Sequence, residues 1–212
     1  MTAEALPFRQ QRVMVILRGL PSPTAAVAAA SRAWDSGVEL VEVPVERPEL
    51  VSSLAAVVAA GAERGKGVGA GTVITGDQVR AAAAAGAQYT VAPGLDLAVM
   101  AASRAAGIPH LPGAATATEV QHAKAAGCDW VKVFPAGTLG TAWFRAMQGP
   151  FHTMNFLATG GVSLAAAPDY LAAGVRVVAF GAAATDAEHR QHLRDLVTAP
   201  MRAAVNGCQR AR

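Results

Sequence analysis

Apolar and polar positions alternate along the chain in a repeated pattern: an alanine-rich amphipathic run, a glycine, and then a short apolar segment. The pattern occurs in SRAWDSGVELVEV, AAAAAGAQYTVAP, SRAAGIPHLPG, AKAAGCDWVKVFP and YLAAGVRVVAF. The glycine stands where a helix C-terminus favours a residue that tolerates a positive φ angle. We therefore predict helix-to-strand junctions at Gly37, Gly86, Gly107, Gly127 and Gly174.

Short apolar runs such as VMVIL and VRVVAF predict strands buried on both faces, as in a parallel sheet covered by helices. Eight strands are predicted, near residues 13–17, 40–45, 67–72, 89–92, 109–112, 130–134, 155–158 and 175–180. Roughly 26 residues per unit leave room only for short connections, which favours a single-domain (β/α)8 TIM barrel over residues 1–212, with a short N-terminal helix. A doubly wound open sheet is the alternative, but no GxGxxG turn follows the first strand.

Composition favours a soluble protein without a membrane partner. Hydrophobic residues make up 52% of the chain, yet its apolar runs are interrupted well before the roughly 20 residues that span a bilayer. The N-terminus lacks the continuous apolar core of a signal peptide, so we expect a cytoplasmic location. Cys128 and Cys208 are too few for a disulfide framework or a thiolate metal site.

The placement of charges and histidines argues against a nucleic-acid-binding protein and against a metalloprotein. The net charge of +3 comes from scattered arginines rather than a basic stripe with aromatic residues, so no nucleic-acid partner is predicted. The five histidines are dispersed, and the HxxH of His189 and His192 is interpreted as the solvated face of a charged helix. No cluster has the spacing of metal ligands, and neither a metal nor a cofactor is predicted.

Two predicted strands carry a charged residue between valines. One reads WVKVF, with Lys132, and the other reads LVEVP, with Glu42. Because side chains alternate along a strand, valines that face the helices place both charges inside the barrel. Burial favours the neutral amine that attacks a ketone, so Lys132 is a candidate for a Schiff base and Glu42 for proton transfer. A purely structural ion pair is the alternative interpretation.

Candidate anion binders follow three other strands. Arg18 ends the first strand in ILRG, and a guanidinium suits a planar carboxylate, although a surface arginine would look the same. Thr159, Gly160 and Gly161 precede a helix and offer backbone N–H groups for a phosphate where barrel phosphate sites often lie. Gly181 and the following alanines could complete that site. A plain turn is the alternative.

Taken in order, VILRG, GVELVEVPV, VGAGTV, VAPGLD, PGAATATE, VKVFPAGTLG and ATGGV resemble the 2-dehydro-3-deoxy-phosphogluconate and phosphogalactonate aldolase family, which includes 4-hydroxy-2-oxoglutarate aldolases. The resemblance extends from about Arg12 to about Gly181. It implies a class I aldolase that acts on a small-molecule 2-keto acid without a cofactor, and a homotrimer.

Carried over position by position, the resemblance implies that Lys132 is the Schiff-base lysine and Glu42 the acid/base. It implies a keto-acid pocket and a phosphate site. The pocket would be lined by Arg18, Thr72, Pro93, Phe134 and Thr159, and the phosphate would be held by Gly160, Gly161, Gly181 and Ala182.

The chain departs from the family pattern at two places. Glu46 stands where the phosphogluconate branch has a carboxylate-binding arginine, and Arg47 comes one residue later, on the opposite face of an extended strand. Ala182 and Ala183 stand where the family commonly has a serine for the phosphate, which leaves backbone donors. The sequence thus predicts cleavage of a 2-keto-3-deoxy-6-phospho sugar acid. An unphosphorylated keto acid and a non-catalytic metabolite-binding barrel are the alternatives.

Overall fold

The computed structural model describes residues 7, 8 and 10–199. Its strands are β1 Val13–Ile16, β2 Leu40–Pro44, β3 Val68–Gly71, β4 Tyr89–Val91, β5 His110–Leu111, β6 Gly113–Ala114, β7 Trp130–Val133, β8 Asn155–Ala158 and β9 Val177–Gly181. Its α-helices are α1 Pro23–Asp35, α2 Val51–Glu63, α3 Gly76–Ala84, α4 Leu97–Ala105, α5 Ala117–Ala125, α6 Ala136–Gln148, α7 Ala167–Ala172 and α8 Arg190–Thr198. Most of the N-terminal segment predicted as a short helix lies outside the described residues, as does Cys208.

All paired strands are parallel, in the order β5-β4-β3-β2-β1-β9-β8-β7-β6. Only Pro112, which has no N–H to donate, separates β5 from β6. Because β5 pairs with β4 and β6 with β7, this one divided strand closes the sheet. The predicted eight-stranded barrel is confirmed, with its fifth strand in two pieces.

Local sequence signals set the helix boundaries. Side-chain caps from Ser22, Thr75 and Thr116 begin α1, α3 and α5, and the last two form capping boxes with Gln78 and Glu119. At the other ends, the five glycines predicted as junctions all have positive φ. The alternation of helix and strand is therefore encoded locally.

The buried apolar side chains form two layers, one on each face of the strands. One lies between the barrel and its helices and includes Val41, Val43, Val131 and Val133. The other fills the barrel interior with Phe8, Met14, Leu40, Tyr89, Val91, Leu111, Trp130, Leu157, Val177 and Ala179. Since the valines of β2 and β7 face the helices as predicted, the charged residues between them face the interior.

Phe8 closes the interior at the N-terminal end of the barrel. Its ring lies edge to face against Tyr89 and Trp130, which begin β4 and β7, with 5.3 Å between ring centroids in each pair. Phe8 and Tyr89 are fully buried. The opposite, C-terminal end is therefore the end at which polar side chains can meet a ligand.

No helix in the described part of the chain is both long enough and apolar enough to cross a membrane.

Candidate active site

Lys132 and Glu42 meet inside the C-terminal half of the barrel. The Lys132 Nζ lies 3.9 Å from the Glu42 Oε1, and the two side chains are only 6% and 1% exposed. They come from β7 and β2, on different sides of the barrel, so the closed sheet alone brings them together. The predicted convergence of the amine and the carboxylate is observed.

The Glu42 carboxylate is buried without a hydrogen-bond partner among the described residues. Burial raises the pKa of Glu42, and the charge of Glu46 adds to this rise, whereas the positive charges of Lys132 and Arg18 oppose it. A carboxyl group with a raised pKa exchanges protons at a pH closer to neutrality. Glu42 is therefore suited to both accept and return a proton beside the amine.

Space for this carboxylate comes from Gly71 at the end of β3. A Cβ built on Gly71 would lie 1.9 Å from the Glu42 Oε1, so an alanine there would displace the carboxylate. Two residues earlier, Gly69 leaves room for the Tyr89 ring, whose hydroxyl donates to the Val41 carbonyl over 3.0 Å. Burial and the charge of Glu42 raise the pKa of Tyr89 well above its usual value, which keeps the phenol neutral.

Sequence reasoning did not assign a role to Gly69, Gly71 or Tyr89. The signal was present in VGAG, where glycines occupy both inward positions of one strand. A period-two pair of glycines often marks a place where other groups approach the backbone closely.

Arg18 lies across the mouth of the barrel above Glu42. One terminal nitrogen donates to Thr72 Oγ1 over 2.7 Å and the other to Glu46 Oε1 over 2.9 Å. Thr72 has a φ of 58°, which is uncommon for a β-branched residue, and backbone strain of this kind clusters at functional sites. The structure thus joins two predicted pocket residues, Arg18 and Thr72, and adds Glu46 to them.

Phe134 and Thr159 lie beyond the amine at the ends of β7 and β8. Phe134 has the same strand parity as Lys132, and 42% of it is exposed. Its ring lies against Gly160, where an added Cβ would come within 2.8 Å of two ring carbons. Thr159 is 3% exposed and has the parity of the interior residue Leu157. Both residues therefore border the mouth.

Pro93 follows β4 and packs against the divided strand. A Cβ on Gly113 would lie 2.1 Å from the Pro93 carbonyl oxygen, and the Gly113 N–H donates to the Gly94 carbonyl over 2.9 Å. The predicted pocket residue Pro93 is thereby fixed to the backbone of β6. Its place at the C-terminal end of β4 is the one predicted.

The four residues predicted to hold a phosphate follow β8 and end β9. Gly160 and Gly161 both have positive φ, and the Gly160 carbonyl accepts from the Gly137 N–H of α6 over 2.8 Å. Gly181 is exposed and directly precedes a 3-10 turn, Ala182–Thr185. The first N–H groups of such a turn have no partner within it. The two segments lie at the C-terminal ends of β8 and β9, which are paired neighbours in the sheet.

His110 lies on β5 and is half-buried. Its Nδ1 lies 2.8 Å from Thr90 Oγ1, which lies 2.9 Å from Ser103 Oγ. Burial lowers the pKa of His110 to about 4, opposed by the charge of Asp96. Among the described residues, no three of His, Cys, Asp and Glu are placed to bind a metal ion together.

The comparisons with known proteins agree on one family. Residues 7–197 match the family model described as aldolase, KDPG and KHG aldolase. The chain is 44% identical to the 2-dehydro-3-deoxy-phosphogluconate aldolase of Treponema pallidum (strain Nichols) over 115 residues, 54% of each protein, so the match spans about half of that relative.

Two further matches cover more of the chain. It is 34% identical over 152 residues to the 2-dehydro-3-deoxy-6-phosphogalactonate aldolase of Escherichia coli (strain K12), 71% of this chain and 73% of that protein. It also resembles the crystal structure of 2-keto-3-deoxy-6-phospho-gluconate aldolase from Zymomonas mobilis ATCC 29191, with a TM-score of 0.81, 28% identity, and coverage of 93% of this chain and 97% of that one.

Proposed function

The chain belongs to the KDPG and KHG aldolase family of carbon–carbon lyases, and on this premise we propose that it cleaves a 2-keto-3-deoxy-6-phospho sugar acid through a Schiff base on Lys132. The products are pyruvate and glyceraldehyde 3-phosphate. The observation that carries the proposal is the 3.9 Å between Lys132 Nζ and Glu42 Oε1 in an interior that is otherwise apolar below them.

Lys132 performs the covalent steps. The neutral amine attacks the C2 ketone to give a carbinolamine, which loses water to become a protonated imine. The C4 hydroxyl then loses its proton while the C3–C4 bond breaks. The electrons of that bond pass into the imine, giving an enamine and releasing the aldehyde. Protonation of the enamine at C3 and addition of water release pyruvate and restore the amine.

Glu42 moves the protons in these steps. It protonates the hydroxyl that leaves as water from the carbinolamine, and as a carboxylate it accepts the proton of the C4 hydroxyl, directly or through a water. Its raised pKa and its proximity to the Lys132 Nζ support this assignment. Arg18 and Thr72 hold the substrate carboxylate, and Pro93, Phe134 and Thr159 line the keto-acid pocket.

The phosphate is assigned to the loops after β8 and β9. Gly160, Gly161, Gly181 and Ala182 supply backbone N–H donors there, and the exposed backbone of Gly161 and Gly181 supports access. The phosphogluconate and phosphogalactonate acids differ only in stereochemistry, and both belong to the proposed substrate class.

An unphosphorylated 2-keto acid, such as 4-hydroxy-2-oxoglutarate, is the second candidate. The alanines at 182 and 183 favour it, because they offer no hydroxyl donor where a phosphate would lie. The ratio of kcat/KM for phosphorylated and unphosphorylated keto acids separates the two candidates. A working phosphate site predicts a strong preference for the phosphorylated compound.

Borohydride trapping tests the reaction itself. Reduction of the protein with pyruvate present should convert the imine into one stable adduct, which peptide mapping by mass spectrometry locates at Lys132. The matched controls are Lys132→Met, which should give no adduct, and Lys124→Met, which changes an exposed lysine and should retain it. A wild-type protein without an adduct or turnover of any keto acid would be a non-catalytic metabolite-binding barrel.

A homotrimer in the cytoplasm completes the proposal. Ile74, two residues before α3, and Leu97, the first residue of the adjacent helix α4, are 52% and 61% exposed. They offer apolar surface for contact between subunits. Light scattering on purified protein gives the mass of the assembly. A mass near 21.5 kDa would indicate a monomer and contradict the trimer.

A further inference from the structure

The ion pair between Arg18 and Glu46 lies at the entrance to the Lys132 pocket. Met14 and Ile16 of β1 face the barrel interior, as do Leu40 and Glu42 of β2. Arg18 and Glu46 follow the C-terminal ends of these two strands, and the Arg18 guanidinium reaches Thr72, the first residue after β3. Both residues influence the pKa of Glu42, Arg18 by lowering it and Glu46 by raising it. The pair is therefore close enough to act on whatever binds beside Glu42.

Arg18 already has acceptors before a ligand arrives. Glu46 Oε1 accepts from its NH1 at 2.9 Å and Thr72 Oγ1 from its NH2 at 2.7 Å. The Arg18 side chain is 51% exposed and that of Glu46 is 30% exposed, so an entering molecule can reach both. A carboxylate that binds this guanidinium must share it with a negative charge already in place.

We propose that Glu46 is an affinity-determining residue that competes with the substrate carboxylate for Arg18. This inference rests on the proposed function, in which every substrate and the product pyruvate carry a carboxylate next to the ketone. By neutralising part of the Arg18 charge, Glu46 weakens binding at the carboxylate end. The product pyruvate binds through this same end, so its release is favoured.

The test measures the pyruvate concentration that gives half-maximal borohydride adduct at Lys132. Glu46→Gln keeps an oxygen acceptor for Arg18 but removes the negative charge. It should lower the half-saturating concentration about two- to fivefold, the range expected for a partly exposed ion pair. The inhibition constant of pyruvate as a product should fall by the same factor.

A matched control is Glu49→Gln. Glu49 is 66% exposed and pairs with Arg47, whose Nε lies 3.0 Å away, so this variant makes the same change in net charge nearby without touching Arg18. It should leave the half-saturating concentration unchanged. Thermal unfolding of each variant checks that the fold is retained.

The double variant Arg18→Gln/Glu46→Gln separates competition for Arg18 from a general effect of charge. Arg18→Gln alone should weaken pyruvate binding, and adding Glu46→Gln should then bring no gain. A gain that persists without Arg18 would overturn the proposal, as would a Glu46→Gln protein that binds pyruvate no more tightly than wild type. A wild type that forms no adduct would instead overturn the proposed function, and this inference with it.

Discussion

The two halves of the barrel interior are built from the same strands but have opposite characters. The N-terminal half is filled by rings and aliphatic side chains, with Phe8 between Tyr89 and Trp130. The C-terminal half places Lys132 beside Glu42, whose carboxylate is buried without a hydrogen-bond partner among the described residues. Burial stabilises the fold in the first half and costs free energy in the second. The residues that stabilise the fold and those that are candidates for the chemistry thus lie in opposite halves of the barrel interior.

The largest expected effect comes from removing the amine. Lys132→Met replaces it with an apolar side chain of similar length, so aldol cleavage should fall by at least about a thousandfold. Thermal unfolding should change little in the double variant Lys132→Met/Glu42→Gln, because replacing a buried ion pair by neutral groups is often neutral or stabilising. Steady-state kinetics and calorimetry measure the two effects. Retained cleavage would show that the polar half does not contain the chemistry.

The reciprocal change removes an aromatic ring from the apolar half. Phe8→Ala should lower the free energy of unfolding by about 3–5 kcal/mol, because a fully buried ring leaves a cavity against Tyr89 and Trp130. Denaturant unfolding measures this loss. Below the unfolding transition, kcat should stay within about twofold of wild type. A large loss of kcat in folded protein would show that the two halves are not independent.

A smaller change acts on the polar half alone. Gly71→Ala places a Cβ where the Glu42 Oε1 now lies, so the carboxylate must move and kcat should fall about 10- to 100-fold. Gly76→Ala is the control, since its added Cβ would meet nothing closer than 3.6 Å at the start of α3. Kinetics of both variants measure the difference. Equal activity would mean that the position of Glu42 is not critical.

The subtlest effect is on pH dependence. Because burial raises the pKa of Glu42, kcat/KM should fall on acidification at a pH above the ordinary glutamate value of 4.5, as the carboxylate becomes protonated. The residual activity of Glu42→Gln should lack this decline. A pH–rate profile of both proteins at constant ionic strength tests the assignment. A decline retained in Glu42→Gln would belong to another group.

Much of the fold could be predicted because its signals are local. The positive φ of the five junction glycines follows from the chemistry of helix ends. The positions of the eight strands follow from their apolar runs, and the inward direction of Lys132 follows from period-two alternation. The division of the fifth strand at Pro112 was not predicted, although the missing N–H of proline is itself a local feature.

Which residues face the interior follows from the amino-acid sequence, since parity within a strand requires no knowledge of the neighbouring strands. Which of these residues meet depends instead on how the strands assemble. Lys132 and Glu42 are 90 residues apart in the chain and meet because the barrel closes. Arg18 and Thr72 are 54 apart and meet because β1 and β3 both pair with β2. The need for Gly71 beside Glu42 and the pairing of Glu46 with Arg18 arise from the order in which the strands pair, because β2 lies between β1 and β3.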